Sequence, residues 1–358
     1  MDPARIASDT MGAMPRGSRH VHPLSRPVHQ VLSEDDVSEI LGRMQDRFPW
    51  PETAERFVIA GRWGSRTASL YRCNGASTGR PDVMLKVGRD WTTEIARATH
   101  DEMEGLGRAL HVAGPIPVNV PTALGWDAHP PLVCTSYVEG TDVYFLLADL
   151  THPAWTTSDR QPIEVLEACG RALGAYHARF APDPNDPAAR EQALRGFERA
   201  ARTLGVGRAT VDRLADGLVL SRGFGDFGPH QFRLTDSDQL FLLDPPVAET
   251  FEPVHQDVAR FLFGLTKILG QDARAGRQQR RSASDLRKAF IRGYRETGPT
   301  DPSDQRGRWL VQLYEGAAAA GMAHQRLTNH EFGSAVRYAA GWMGSLVSLR
   351  LRSAGPIR

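Results

Sequence analysis

Cysteine is scarce in this 358-residue chain, and the three present, Cys73, Cys134 and Cys169, lie far apart. With no paired spacing they offer neither a metal-ligand set nor a disulfide framework, and they imply structural thiols in a reducing compartment. Long apolar runs are also missing, since nothing approaches the roughly 18 residues that a spanning helix needs. The amino terminus has no apolar segment of the kind that opens a secretory signal. Charge of one sign is not in excess: the net charge is +1 at pH 7, which removes the global argument for nucleic acid or an anionic membrane as a partner. What is present is ordinary globular composition, 41% hydrophobic and 24% charged, enough for one large domain or two smaller ones. The expectation is a soluble, cytoplasmic protein, monomer or homodimer, with no membrane or nucleic-acid partner.

Residues 1–32 carry Pro, Ser, Arg and His without a period and read as a poorly ordered extension. A helix is expected from Ser33, with Glu34, Asp35 and Asp36 in its first turn and Val37, Ile40, Leu41 and Met44 on one face. Strand-like runs follow at Arg56–Ala60, Ala68–Cys73 and Val83–Val87, separated by the turn-rich stretches Gly61–Thr67 and Asn74–Pro81. A helical stretch, Thr92–Leu110, and the apolar runs Ala123–Trp126 and Leu132–Val138 complete this half. After Gly140 the texture becomes helical: Pro162–Phe180, Arg190–Leu204, Arg208–Leu220, Gln256–Leu269, Ser284–Glu296, Asp304–Ala323 and Phe332–Arg352, interrupted by a β island from Gly223 to about Ala248. Strands with one helix, then helices with a small β island, predict an α+β plan divided near Glu139–Gly140, with parts 33–138 and 139–358.

The β island carries the chemistry. Gly223-x-Gly225-x-x-Gly228 spells a dinucleotide fingerprint, but Pro229 and the apolar run Phe232–Leu234 lead into a hairpin where that motif requires a helix. Asp226-Phe-Gly imitates the metal-binding triplet of protein kinases, yet the region around Asp212 has no catalytic Asp followed by a metal-ligating Asn. A different assignment fits phosphoryl transfer, which needs one carboxylate for the proton of the acceptor hydroxyl and another on the magnesium ions that bridge the phosphates. Asp226 is then the earlier carboxylate and Asp244 the later one. Gln231, five positions after Asp226, completes the metal shell. A hairpin turning at Asp236-Ser-Asp238 would set both carboxylates at its open end.

In these residues the chain resembles the aminoglycoside phosphotransferase and choline kinase-like family. That family carries His-Gly-Asp, four variable residues and Asn, then a strand-ending Asp eighteen positions after the first, and Asp226 and Asp244 keep that spacing. Its Asp-Leu-Ala helix start is matched by Asp257-Val-Ala259, whose Asp ties down the catalytic loop in the family. Two positions depart: the family His is Phe224 and the family Asn is Gln231. The resemblance implies a two-lobed, protein-kinase-like α+β fold with a nucleotide-binding N-lobe and a helical C-lobe. It implies ATP or another NTP and Mg2+ as cofactors, and transfer of the γ-phosphoryl group to a hydroxyl of a small molecule such as a sugar, an antibiotic or a nucleoside-type natural product. A catalytically degenerate, nucleotide-binding pseudokinase is the alternative that Phe224 and Gln231 raise.

Before Gly140 the resemblance assigns the nucleotide contacts. Gly64 and Ser65 lie in the loop Gly61–Thr67, where small residues let N–H groups approach phosphate. Lys86, a charge inside the apolar run Val83–Val87, would hold the α- and β-phosphates and pair with a helix Glu. Glu102 is the foremost candidate, with Glu104 and Glu94 as rivals. The linker Leu132–Gly140 would offer the backbone of Ser136 and Val138 to the adenine edge, and His177 reads as core packing. From residue 270 onward fifteen Arg and Lys stand against seven acids. That sign disfavours a polycationic acceptor and points to a neutral or anionic one.

Overall fold

Ser33 and Asp36 form a reciprocal capping box at the start of helix α1, Glu34–Arg47, with Asp36 N–H donating to Ser33 Oγ at 3.1 Å and Ser33 N–H donating to Asp36 Oδ2 at 2.8 Å. Val37, Ile40, Leu41 and Met44 form its buried stripe. The computed structural model describes residues 31–64, 68–77, 82–110, 115–149, 162–183, 186–225, 227–243, 250–270 and 277–329. Strands β1, Phe57–Gly64, β2, Ala68–Gly75, and β3, Asp82–Gly88, follow α1. Next come helix α2, Thr93–Ala109, and strands β4, Val118–Asn119, β5, Ala123–Ala128, and β6, Pro131–Ser136.

The described residues fall into two compact units, one running up to Ala96 and taking in Leu124–Thr135, the other comprising Arg97–Ala123 and the chain from Ser136 onward. The first unit holds a five-stranded sheet in the order β1-β2-β3-β6-β5. Alternation along the strands decides which face is covered. Tyr71, Cys73, Val83, Leu85 and Val87 point toward the α1 stripe and form one core with it. Leu70, Arg72, Met84 and Lys86 occupy the opposite face, with Leu70 opposite Lys86 and Arg72 opposite Met84. Buried Cys73 and Cys134 are packing residues here, and burial pushes the Cys73 thiol up to about 12.

The second unit continues with β7, Thr141–Asp142, and helices α3, Val143–Ala148, α4, Pro162–Arg179, α5, Pro187–Thr203, and α6, Arg208–Ala215. Strands β8, Leu220–Arg222, β9, Phe232–Leu234, β10, Leu240–Leu242, and β11, Phe251–Pro253, form the β island. Helices α7, Val254–Gly270, α8, Arg277–Thr297, and α9, Gln305–Thr328, close the described part. A four-stranded sheet runs β4-β10-β9-β7, and β11 pairs with β8. Helices α4 and α8 lie against each other with almost no space between backbones. A Cβ at Gly170 would meet the Phe290 carbonyl, and one at Gly293 would meet the Glu167 carbonyl. Glu167 and Arg292 then pair across the seam at 2.8 Å, as do Arg171 and Glu296 at 3.4 Å.

The α+β fold class expected from the sequence is the one observed, with local differences in the elements. β1 runs on to Gly64, because Arg62, Trp63 and Gly64 pair with β2 after a register shift at Ile59/Gly61; the stretch expected to be a turn is strand as far as that residue. Helix α6 ends at Ala215 and does not reach Leu220, since Leu220–Arg222 pairs with β11. Long-range pairing overrides the local helical period there. The helix expected at 332–352 and the extension up to residue 30 lie outside the described residues. Among the described residues no helix is long and apolar enough to cross a membrane.

Candidate active site

The β9–β10 hairpin sets the register of the chemistry-bearing segment. Leu234 pairs with Leu240 and Phe232 with Leu242, and Thr235 N–H donates to the Gln239 carbonyl at 3.0 Å across the turn. One step toward the open end, Leu243 N–H donates to the Gln231 carbonyl at 2.8 Å. Gln231 and the residue preceding Asp244 are therefore neighbours across the hairpin. Gln231 ends a 3-10 turn, Pro229–Gln231, and is 8% exposed. Gly225 has φ 82°, a left-handed conformation that suits glycine and turns the chain sharply before the next residue. Asp226, Asp244 and Ser65 lie outside the described residues.

Behind this loop Asp257, near the start of α7, gathers a buried network. Its Oδ2 accepts the Phe224 N–H at 2.7 Å and faces His177 Nε2 at 3.3 Å; its Oδ1 accepts from Arg260 Nη1 at 2.9 Å. The same Arg260 nitrogen reaches Glu252 at 2.7 Å, and His177 Nδ1 lies 2.9 Å from the Tyr294 hydroxyl. Burial alone would raise the Asp257 carboxyl, but the bonds from His177 and Arg260 and the Phe224 N–H hold it below the usual carboxylate range. Burial and the Asp257 charge push the Tyr294 hydroxyl upward, so it stays protonated and donates to His177. His177, expected to be packing alone, is thus bonded at both ring nitrogens. Phe224, where the resembling family has His, packs edge-on to Tyr176 at 5.4 Å and to Phe227 at 4.8 Å.

The linker is anchored to β9. Arg233 donates to the Val138 carbonyl at 2.9 Å and pairs with Asp142 at 2.7 Å, with its guanidinium 5.9 Å from the Tyr137 ring centre. Gly140, with φ 146°, crosses the Leu234 carbonyl where no Cβ would fit. Ser136 N–H donates to the Thr122 carbonyl at 2.9 Å, and Ser136 Oγ accepts the Thr122 N–H at 2.9 Å.

In the first unit Lys86 is half-buried, and its Nζ lies 5.6 Å from the centre of the Trp91 ring. Gly64 is the last residue of β1. Of the candidate acids for Lys86, Glu94 and Glu104 are exposed and Glu102 is half-buried. Glu102 accepts from Arg222 Nη1 at 2.5 Å within the second unit, and its other carboxylate oxygen is buried without a hydrogen-bond partner. Arg222, Arg233 and Tyr294 carry weight in the fold that the sequence alone does not mark. Arg233 carried the same signal as Lys86, a charge inside an apolar strand; Arg222 and Tyr294 carried none.

Several arginines of the basic carboxy-terminal segment are committed within the fold, Arg287 to Glu315 at 2.6 Å, Arg292 to Glu167 and Arg295 to Asp301 at 3.0 Å. Among the described residues no three His, Cys, Asp or Glu side chains gather to hold a metal.

No protein-family model matches the chain, and no curated protein matches it in sequence. Solved structures do. A glucosamine kinase aligns over 87% of both chains at 14% identity with a TM-score of 0.50. An ethanolamine kinase from Plasmodium vivax covers 92% of this chain and 100% of its own at 10% identity and a TM-score of 0.48. A GDP complex of aminoglycoside 2'-phosphotransferase-IIIa covers 87% and 98% at 13% identity and a TM-score of 0.45. The chain has the fold of glucosamine kinase, a protein-kinase-like α+β fold with an antiparallel amino-terminal sheet and a large helical part.

Proposed function

We propose that the chain is an ATP-dependent small-molecule O-phosphotransferase. The observation that carries this reading is the hairpin register, in which the Gln231 carbonyl bonds Leu243 N–H, the residue before Asp244. It supports a shared site for the amide five positions after Asp226 and the carboxylate eighteen positions after it. Gln231 and Asp244 are hard oxygen donors, the chemistry Mg2+ takes, and Mg2+ usually keeps several waters, so it needs few protein ligands. When bound, Mg2+ and the nucleotide supply the phosphoryl group and the positive charge that its transfer needs.

The chain's own residues do the rest. Asp226 orients the acceptor hydroxyl and takes its proton late, because a loose transition state needs little abstraction early. Asp257 holds the loop that carries Asp226 through the Phe224 N–H. Lys86 binds the α- and β-phosphates, and Gly64 and Ser65 are proposed as further phosphate contacts. The Val138 carbonyl is engaged by Arg233, so the adenine edge falls to the Val138 N–H and the Ser136 carbonyl. The acceptor is proposed to be neutral or anionic. Arg287 and Arg295 are paired with Glu315 and Asp301, acids already counted in that balance, so the excess of basic residues in the segment stands.

The test is transfer from Mg-ATP to a panel of sugars, amino sugars, aminoglycosides and nucleoside natural products, with the phosphorylated product detected by mass. Transfer to a neutral or anionic hydroxyl compound is expected, and Asp226→Asn should lower turnover by at least about 10²-fold with ATP affinity little changed. A variant turning over at the wild-type rate would remove Asp226 from the chemistry. Nucleotide binding without any transfer would favour the pseudokinase that Phe224 and Gln231 suggest.

A further inference from the structure

The segment after Asp226 reads Phe227-Gly228-Pro229-His230-Gln231, and its last two side chains touch: Gln231 Nε2 lies 3.4 Å from His230 Nε2. An amide nitrogen only donates, so the imidazole accepts at Nε2 and carries its proton at Nδ1. The contact decides which end of the amide faces which way. With the nitrogen turned to His230, the Gln231 oxygen is directed away from the ring. Gly228 lies beneath the ring. A Cβ at Gly228 would stand 2.9 Å from His230 Nδ1 and 3.0 Å from Cε1, so a side chain there would displace the ring. The imidazole folds back over Gly228, and the 3-10 turn, closed by Gln231 N–H to the Gly228 carbonyl at 3.0 Å, holds the backbone beneath it.

Gln has one more rotatable bond than Asn, and the freedom of that bond is lost whenever the amide oxygen is held in place. We infer that His230 is a positioning residue for Gln231, holding its amide so that the oxygen is presented to a divalent cation, and that Gly228, His230 and Gln231 act as one unit. This rests on the reading of Gln231 as a metal ligand. A residue that orients a ligand by hydrogen bonding, without touching the metal, tunes metal affinity, typically by about 10–100-fold when it is lost.

Mn2+ in place of Mg2+, titrated by electron paramagnetic resonance into the full chain with a non-hydrolysable ATP analogue, reads the effect without turnover. His230→Ala should weaken Mn2+ by about 10-fold or more, while metal-free nucleotide affinity and Tm stay unchanged. Adding Gln231→Asn to His230→Ala should restore much of the loss, because the shorter amide has no extra bond to hold. If His230→Ala folds poorly, Gly228→Ala applies the same test by displacing the ring. Wild-type Mn2+ affinity in His230→Ala together with weakened binding in Gln231→Ala would overturn the positioning role and leave Gln231 a ligand. Unchanged affinity in Gln231→Ala would overturn both.

Discussion

His255 sits in an environment that disfavours its charged form. It is 2% exposed, and both ring nitrogens are buried without a hydrogen-bond partner. The charged or titratable groups facing it are His177 on α4 and Arg306 on α9. Burial first, then those two neighbours, pull its pKa from the ordinary 6.5 to about 3. The sign follows from proton counting. Below about pH 6.5 the unfolded chain binds a proton at this position that the folded chain refuses until about pH 3, so folding stability falls as pH drops through that window. Asp257 contributes at lower pH, since its folded carboxyl lies below the usual range and its stabilisation is lost only as pH falls through that depressed value. Replacing His255 by Leu should leave Tm at neutral pH unchanged or higher, because no hydrogen bond is lost. It should also flatten the decline of Tm between neutral pH and about pH 5. An unaltered pH profile would show that another group controls acid lability.

Among the elements, the α4–α8 pair depends most on what its residues lack. Gly170 and Gly293 let backbone meet backbone, so a methyl group there forces the helices apart. Gly293→Ala should cost about 1–3 kcal/mol, the range of overpacked cores. The contrasting site is Gly196 in α5, where an added Cβ meets nothing within 4 Å. Gly196→Ala should stabilise by about 0.5–1 kcal/mol, from helix propensity alone. Urea unfolding of both variants checks the pair. Equal effects would mean that the close approach at Gly293 does not limit packing. The glycines of α4 were legible as letters, but nothing in a single helix says which of its glycines faces another backbone.

For the whole molecule, the proposed function makes ligand binding a stability measurement. A ligand that binds only the folded chain stabilises it by about 2.7 kcal/mol when present at about 100 times Kd. Mg-ATP at that ratio should raise Tm of the wild-type chain. At the same concentration, Lys86→Ala and Asp244→Ala should lose most of the shift, since one is proposed for the phosphates and the other for the metal. Asp226→Asn should keep it, because its role lies with the acceptor hydroxyl. The chain contains three lysines, Lys86, Lys267 and Lys288, so a full shift in Lys86→Ala would point away from a lysine contact in β3 and end that assignment.

Period and spacing settled what depends on neighbours along the chain. The α1 stripe from Val37 to Met44, the alternation in β2 and β3, and the hairpin that brings Gln231 beside Leu243 all follow local rules of 3.6 and 2 residues per repeat. The two departures at Phe224 and Gln231 were equally visible in one dimension. Tertiary structure decided where local preference is weak or where a partner lies far away in sequence. Leu220–Arg222 became strand because β11 offered a pairing edge. His177 became a bonded member of a network because Tyr294 and Asp257, 117 and 80 residues away, closed around it. Glu102 found Arg222, 120 residues away. A buried polar group requires a partner, but only the folded chain determines which one it meets.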